Sequence, residues 1–407
     1  MTKKFNLILI SSFTFFIFLW DLSIFSLQSR FLILLPFIFF FLNFKFFVLK
    51  ILNIKFLIIF FMIYFHQLYN INFVFDFYST ASLFFLVLIS IITYLYKDYI
   101  LNNFNIFFLF FFFILFILIL IFIFINFNLL NRHYSGNFFQ LSKVVFKENS
   151  HLGMIISSVI LFNVYKFIKT NNHKYLVFFS TLYVLISVPY SLTTFLGLIL
   201  SCFILIFTNF FIINKKLILC LLTLIIISFI QIYTNSILRN KLSNSNTYIV
   251  NSFDNIVNEK LNFDFNDEKT KPNLSIEVYI TSLKIAFLSI KDKPLGFGFN
   301  NYQLASNKYI GRLNTDNYET KLLNLQDGSN NFSKIVTEFG FFSIILFYFF
   351  FKFCYSKNIN LSYKFLLIPN LATQTFIRGA GYFNGGYIVF LLLLIYLVYE
   401  NDLKKIT

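Results

Sequence analysis

Apolar residues fill this chain in long runs, and lysines or small clusters of asparagine break them at near-regular intervals. Runs such as 104–127 and 192–213 hold no charged residue. About 20 apolar residues in a helix cross a bilayer core roughly 30 Å thick. Cut at charges and polar clusters, the pattern predicts about twelve spans, near 5–20, 31–49, 56–73, 79–96, 104–127, 152–169, 175–190, 191–213, 217–234, 332–351, 363–378 and 383–399. The predicted fold class is an all-α polytopic membrane protein with about 12 transmembrane helices. Its organisation is helices one to nine over 1–234 with a short outer loop at 128–150, a large loop over 235–331, and helices ten to twelve with a tail over 332–407. Within the large loop, apolar residues at 276, 279, 280, 283, 286, 287 and 290 have helical spacing, and Pro272 and Pro294 bound that stretch. The Asn-rich segments 240–258 and 262–273 read as linkers. In the short loop, Phe138, Phe139, Leu141 and Phe146 alternate with Lys143 and Lys147, which suits an interfacial helix.

Composition supports this picture. Of the 407 residues, 58% are hydrophobic and 12% charged, which excludes a soluble domain. The 66 phenylalanines reflect an AT-rich coding bias rather than chemistry. A net charge of +16 raises the question of nucleic acid, but the basic residues sit between apolar runs and form no basic patch with interleaved polar residues. Topology accounts for them. With Lys3 and Lys4 inside, the lysines at 45, 50 and 55, at 97, at 166, 169 and 174, at 215 and 216, at 352, 357 and 364, and at 404 and 405 all fall inside as well. Alternation never breaks. The expected location is a bacterial inner (cytoplasmic) membrane with both termini cytoplasmic, the first helix being uncleaved because no small-x-small site follows it. Cys202, Cys220 and Cys354 lie inside apolar runs and read as apolar filler. No metal spacing and no cofactor motif is found, since neither Gly296-Phe-Gly298 nor Gly379-Ala-Gly381 continues as a nucleotide-binding loop.

All five arginines, Arg30, Arg132, Arg239, Arg312 and Arg378, fall on the outer side of this layout, where every inner cation is lysine. Guanidinium is a planar fork that grips phosphate bidentately and keeps its charge in a low dielectric. Arg132, Arg239, Arg312 and Arg378 are therefore candidate ligands for a diphosphate, with interfacial anchoring the plainer alternative. Arg378 has four glycines near it in 374–386 and no acidic neighbour, which permits close backbone approach of a ligand or simply a tight turn. Glu338, placed within the tenth span, and His151, at the start of the sixth, are candidate acid–base groups. Their structural alternatives are a carboxylate at a helix N-terminus and ordinary interfacial packing.

Two local motifs carry a resemblance. Lys293-Pro-Leu-Gly-Phe-Gly-Phe-Asn300 follows the predicted loop helix, and Asp327-Gly-Ser-Asn330-Asn-Phe-Ser-Lys-Ile-Val-Thr-Glu338-Phe-Gly340 opens the tenth span. With about twelve spans and a large outer loop after the ninth, the chain resembles the O-antigen ligase and polymerase superfamily of bacterial envelope glycosyltransferases. The resemblance is clearest over 150–399. It implies metal-independent transfer of an undecaprenyl-diphosphate-linked glycan to a saccharide or lipid A–core acceptor on the periplasmic face. Implied partners are those substrates, membrane lipid and a chain-length regulator. Ligases of this group carry a His where Ser329 stands here, and the arginine often found ahead of Pro-Leu-Gly is missing, with Glu277 and Tyr279 in that neighbourhood. Polymerase is therefore expected over ligase. A polysaccharide flippase or transporter is the rival from another class, although the single large insertion after span nine and the lack of a repeated motif in the first half argue against two related halves.

Overall fold

The structure, a computed structural model, describes residues 23–24, 27–28, 62–69, 77–104, 106–107, 149–175, 192–235, 239, 274–312 and 324–406. Among these, Ser23–Ile24 (β1) and Leu27–Gln28 (β2) form a two-residue antiparallel pair, with Ser23 opposite Gln28. The other regular elements are helical. They are α1 (Phe77–Asn102), α2 (Asn149–Thr170), α3 (Leu192–Asn209), α4 (Lys215–Thr234), α5 (Leu274–Asp292), α6 (Tyr302–Tyr309), α7 (Asn331–Phe339), α8 (Ser343–Tyr355), α9 (Leu361–Ala372) and α10 (Tyr387–Ile406). The chain's many asparagines serve as helix starts: the side chains of Asn214, Asn330 and Asn360 accept from the amides of Lys216, Ser333 and Ser362.

Five described segments, Ser82–Asn102, Gly153–Thr170, Leu192–Asn209, Lys215–Thr234 and Asn331–Tyr355, are long and apolar enough to cross a membrane. Only a third of the α4 window is buried, and Leu219, Ile226, Phe229 and Ile230 lie exposed along it. An apolar face turned outward fits hydrocarbon, so the chain is a helical membrane protein.

The centre of the bundle is α2, α3 and α9. Small residues let them approach: a Cβ on Gly197 would lie 2.6 Å from Thr373 Cγ2, and one on Gly153 would lie 2.3 Å from Thr194 Oγ1. A polar seam fills the contact. Ser157 Oγ meets Thr373 Oγ1 at 3.2 Å, and Asn370 Nδ2 donates to the carbonyls of Met154 and Gly385 at 3.4 and 3.2 Å. Gln374 Nε2 donates to Asn370 Oδ1 at 2.9 Å and to Gly385 O at 2.8 Å. These pairings are needed because an amide sealed from water without a partner costs on the order of 1–3 kcal/mol.

The helices pack in opposite senses. Met154 meets Asn370 while Tyr165 stacks on Phe365 at 5.0 Å, so α2 and α9 are antiparallel. One end of the bundle carries Arg378. At the other, Lys97 pairs with Glu400, and Lys352 pairs with Asp402 at 2.7 Å. Lys364 is buried at that lysine end and donates to Asn209 Oδ1 (2.5 Å) and Cys354 O (2.8 Å), answering the negative C-terminal ends of α3 and α8.

Two predicted spans differ in detail. The span expected at 332–351 is broken at Gly340, whose φ of 53° ends α7 before a 3-10 turn, Gly340–Phe342, leads into α8. The span expected at 363–378 ends in a π-helical turn, Thr373–Ile377. The helix expected over 275–290 is α5, and α1 runs past its predicted 79–96 with a kink at Tyr96 (φ −111°, ψ 15°). Predicted spans 5–20 and 31–49, nearly all of 175–190, most of 56–73 and 104–127, and the 128–148 segment lie outside the described residues. So do the linkers at 240–258 and 262–273.

Gly197→Val should lower the apparent melting temperature of the detergent-solubilised protein, by an overpacking penalty of about 1–3 kcal/mol. Gly311→Ala, where an added Cβ meets nothing within 4 Å, should leave it unchanged. Equal melting of the two variants would contradict the packing described.

Candidate functional site

The Pro294–Gly298 and Glu338–Gly340 segments, some forty residues apart in sequence, lie back to back at the arginine end. Phe297 N donates to Thr337 O at 3.0 Å, Gly298 N to Glu338 O at 2.9 Å, and Phe341 N to Pro294 O at 2.9 Å. Backbones this close leave no room for side chains. A Cβ on Gly296 would fall 2.3 Å from Glu338 O, and one on Gly340 would fall 2.0 Å from Pro294 O. Both glycines have positive φ, 86° and 53°, so spacing and conformation each require glycine.

Beneath this junction Glu338 is fully buried. Its Oε1 accepts from Tyr302 N (3.0 Å) and pairs with Lys334 Nζ (2.9 Å), while Oε2 accepts from Asn300 N (2.9 Å). Tyr302 is the first residue of α6, and the Asn301 cap makes no side-chain bond to that helix. The Glu338 carboxylate thus caps α6 from a different helix. The ring of Tyr382 lies beside this pair, with Lys334 Nζ 5.2 Å from its centroid. Burial, and after it the Glu338 charge, push the Tyr382 hydroxyl well above the usual phenol range. The loop is also held from outside: His66 Nε2 donates to Leu295 O at 2.6 Å, and Asn300 Nδ2 donates to Ser82 Oγ at 3.0 Å.

Arg378 follows the π-helical turn, its amide donating to Thr373 O at 2.9 Å, and then leaves the helix with φ −151°. The side chain is partly exposed, and Nη1 donates to Ser329 Oγ at 3.3 Å. Gly379 N donates to Ser329 O at 3.0 Å, and Gly381 N to Asn331 Oδ1 at 3.2 Å. Gly379 has to be small, since a Cβ there would lie 2.6 Å from Asn331 N. A guanidinium is therefore set against the start of α7, where helix amides also favour an anion. The buried Asn331 Nδ2 has no hydrogen-bond partner among the described residues. A crevice with room for about one water opens between α5, α6 and the 324–329 turn, lined in part by Ser282, Tyr302, Ser306 and Ser329.

The other candidates are placed as follows. His151 is buried at the start of α2, one turn before the Met154 carbonyl that meets Asn370, so it shares the arginine end. Arg239 is exposed past the end of α4, its guanidinium carbon 6.0 Å from the Tyr233 ring centroid, an arrangement suited to anchoring. Arg312 closes a 3-10 turn, Ile310–Arg312, and its side chain lies outside the described residues, as do Arg30, Arg132 and His133. Sequence reasoning passed over Lys334, although its i, i+4 spacing from Glu338 was a visible signal. It also passed over Lys284, buried on α5 two turns after the buried Glu277. Burial lowers the Lys284 ammonium to about 8, an effect that Glu277 partly opposes.

Comparison of the chain with protein-family models, curated proteins and solved structures returns no match.

Gly340→Ala should destabilise the protein by about 2 kcal/mol or more, from positive-φ strain plus the clash at Pro294 O. A melting temperature equal to that of the wild type would count against the docked junction. Lys284 is charged in both states below pH 8, so the folded state bears the full desolvation penalty there. The penalty is relieved as pH rises from 8 towards 10.5. The melting temperature of wild type relative to Lys284→Met should therefore climb across that window, and a flat difference would refute the assignment.

Proposed function

We propose that this protein is a metal-independent membrane glycosyltransferase that polymerises O-antigen or exopolysaccharide repeat units. It transfers an undecaprenyl-diphosphate-linked glycan to a saccharide acceptor. One observation carries the reading: the two motifs of the resemblance pack on each other and bring Ser329 against Arg378. The lysine end is the cytoplasmic one, by retention of lysine, which turns the Arg378 end and the 235–331 loop to the periplasm. Both termini are cytoplasmic in this layout of about twelve spans.

The acceptor hydroxyl oxygen forms a bond to the anomeric carbon of the donor, the bond from that carbon to the diphosphate oxygen breaks, and undecaprenyl diphosphate leaves with the electron pair. Arg378 stabilises the charge gathering on that leaving group, helped by the positive end of α7. Arg132, Arg239 and Arg312 are further candidates for the same anion. The acceptor proton passes to a base. Of the two candidates, Glu338 has both oxygens taken by protein donors, which leaves His151 as the candidate base. Ser329, standing where ligases carry a His, favours polymerase over ligase.

Loss of the gene should leave lipopolysaccharide or exopolysaccharide with a single repeat unit, seen as loss of the ladder on a gel. Complete loss of capped core would instead indicate a ligase. Arg378→Ala should reduce transfer by about 100-fold or more, and Arg378→Lys should restore only part of it because the bidentate fork is gone. A normal ladder in Arg378→Ala cells would sink the diphosphate assignment.

A further inference from the structure

We infer that Lys334 and Glu338 are a positioning pair that sets both sides of the Arg378 site, and that Glu338 is not the base. This inference rests on the reading of Arg378 as the diphosphate ligand. Both side chains are completely buried one turn apart on α7, and each reaches a different piece of chain. Lys334 Nζ donates to the carbonyl of Gln326 at 2.7 Å, just ahead of the Asp327-Gly-Ser329 turn. That turn ends at Ser329, which takes Arg378 Nη1 on its hydroxyl and Gly379 N on its carbonyl. Glu338 holds the other side through the amides of Asn300 and Tyr302, at the start of α6. Tyr302 and Ser306 of α6 face Gly328 and Ser329 across the narrow crevice. The ion pair therefore spans the two walls.

The chemistry of the pair fits this task. A carboxylate offers acceptor lone pairs on two oxygens and no donor, and an ammonium offers three donors and no acceptor. Two backbone amides on one side and a carbonyl on the other call for that combination. Sealing two ions from water is unfavourable unless each is hydrogen-bonded as well as paired, and here each is. A general base must instead be reachable by the acceptor hydroxyl, and Glu338 is 0% exposed.

The test uses the full chain in nanodiscs, with Glu338→Gln, Lys334→Met and Arg378→Ala singly and in combination. Amide hydrogen exchange should rise in Glu338→Gln and Lys334→Met at 300–302, 326–331 and 378–381, while α1, α2 and α3 keep wild-type protection. Unchanged exchange at 378–381, or a uniform rise through the bundle, overturns the positioning role without reference to any ligand. Binding of undecaprenyl diphosphate supplies the second reading. Each of the two variants should weaken it about ten-fold, but Glu338→Gln should cost less than about two-fold once Arg378 is alanine, because the pair acts through that residue. Equal losses in both backgrounds, or none in either, overturn the proposal. If the wild type binds no undecaprenyl diphosphate, the diphosphate reading falls while the exchange result still decides the positioning role.

Discussion

A carboxylate sealed from water must be answered by protein groups, and much of the arginine end is arranged around that demand at Glu338. Its three partners come from α7 itself, from the loop after α5 and from the first turn of α6. Because hydrogen bonds tolerate only a few tenths of an ångström in length, satisfying all three at once fixes those segments relative to one another. The close backbone contact of Gly296 with Gly340 is the same requirement seen from the other side. With side chains at either glycine, the loop could not come near enough to reach the carboxylate. Removing one partner would leave a buried charge uncompensated, typically a loss of about 3–5 kcal/mol.

The bundle below answers the same demand for several of its buried polar groups, although Gln374 Oε1 is buried with no hydrogen-bond partner among the described residues. Ser157, Asn370, Thr373 and Gln374 sit among apolar helices and pair with each other or with main-chain carbonyls. The π-helical turn belongs to this seam. It adds a residue to the last turn of the helix and sends the chain away from its axis at Arg378, into the glycine-rich loop. Tyr279 of α5 donates to the Phe376 carbonyl at 2.8 Å, which ties the loop helix to that irregular turn. A departure from regular hydrogen bonding thus places the Arg378 guanidinium against the start of α7.

Helix positions were the most legible part of the chain. The spans at 152–169, 191–213 and 217–234 and the loop helix at 275–290 appear within a few residues of their predicted limits, since length and periodicity are local properties. Gly340 was harder to read. A single glycine in an apolar run is tolerated in many helices, and only the Pro294 carbonyl at its back makes it a break. Glu338 stood out as an ionisable group in a span, but two of its three partners are the amides of residues 36 and 38 positions earlier, and backbone amides leave no mark in a sequence.

The sequence by itself determined that this is a helical membrane protein and where several of its helices lie. Apolar length and helical periodicity depend on composition over a short window, so they can be read without knowing the fold. Only the tertiary structure decided that Ser329 meets Arg378, that Lys334 and Glu338 seal each other, and that Arg239 stays apart on Tyr233. Those outcomes turn on which segments lie within about 3 Å of one another, and that distance is set by packing across the whole bundle.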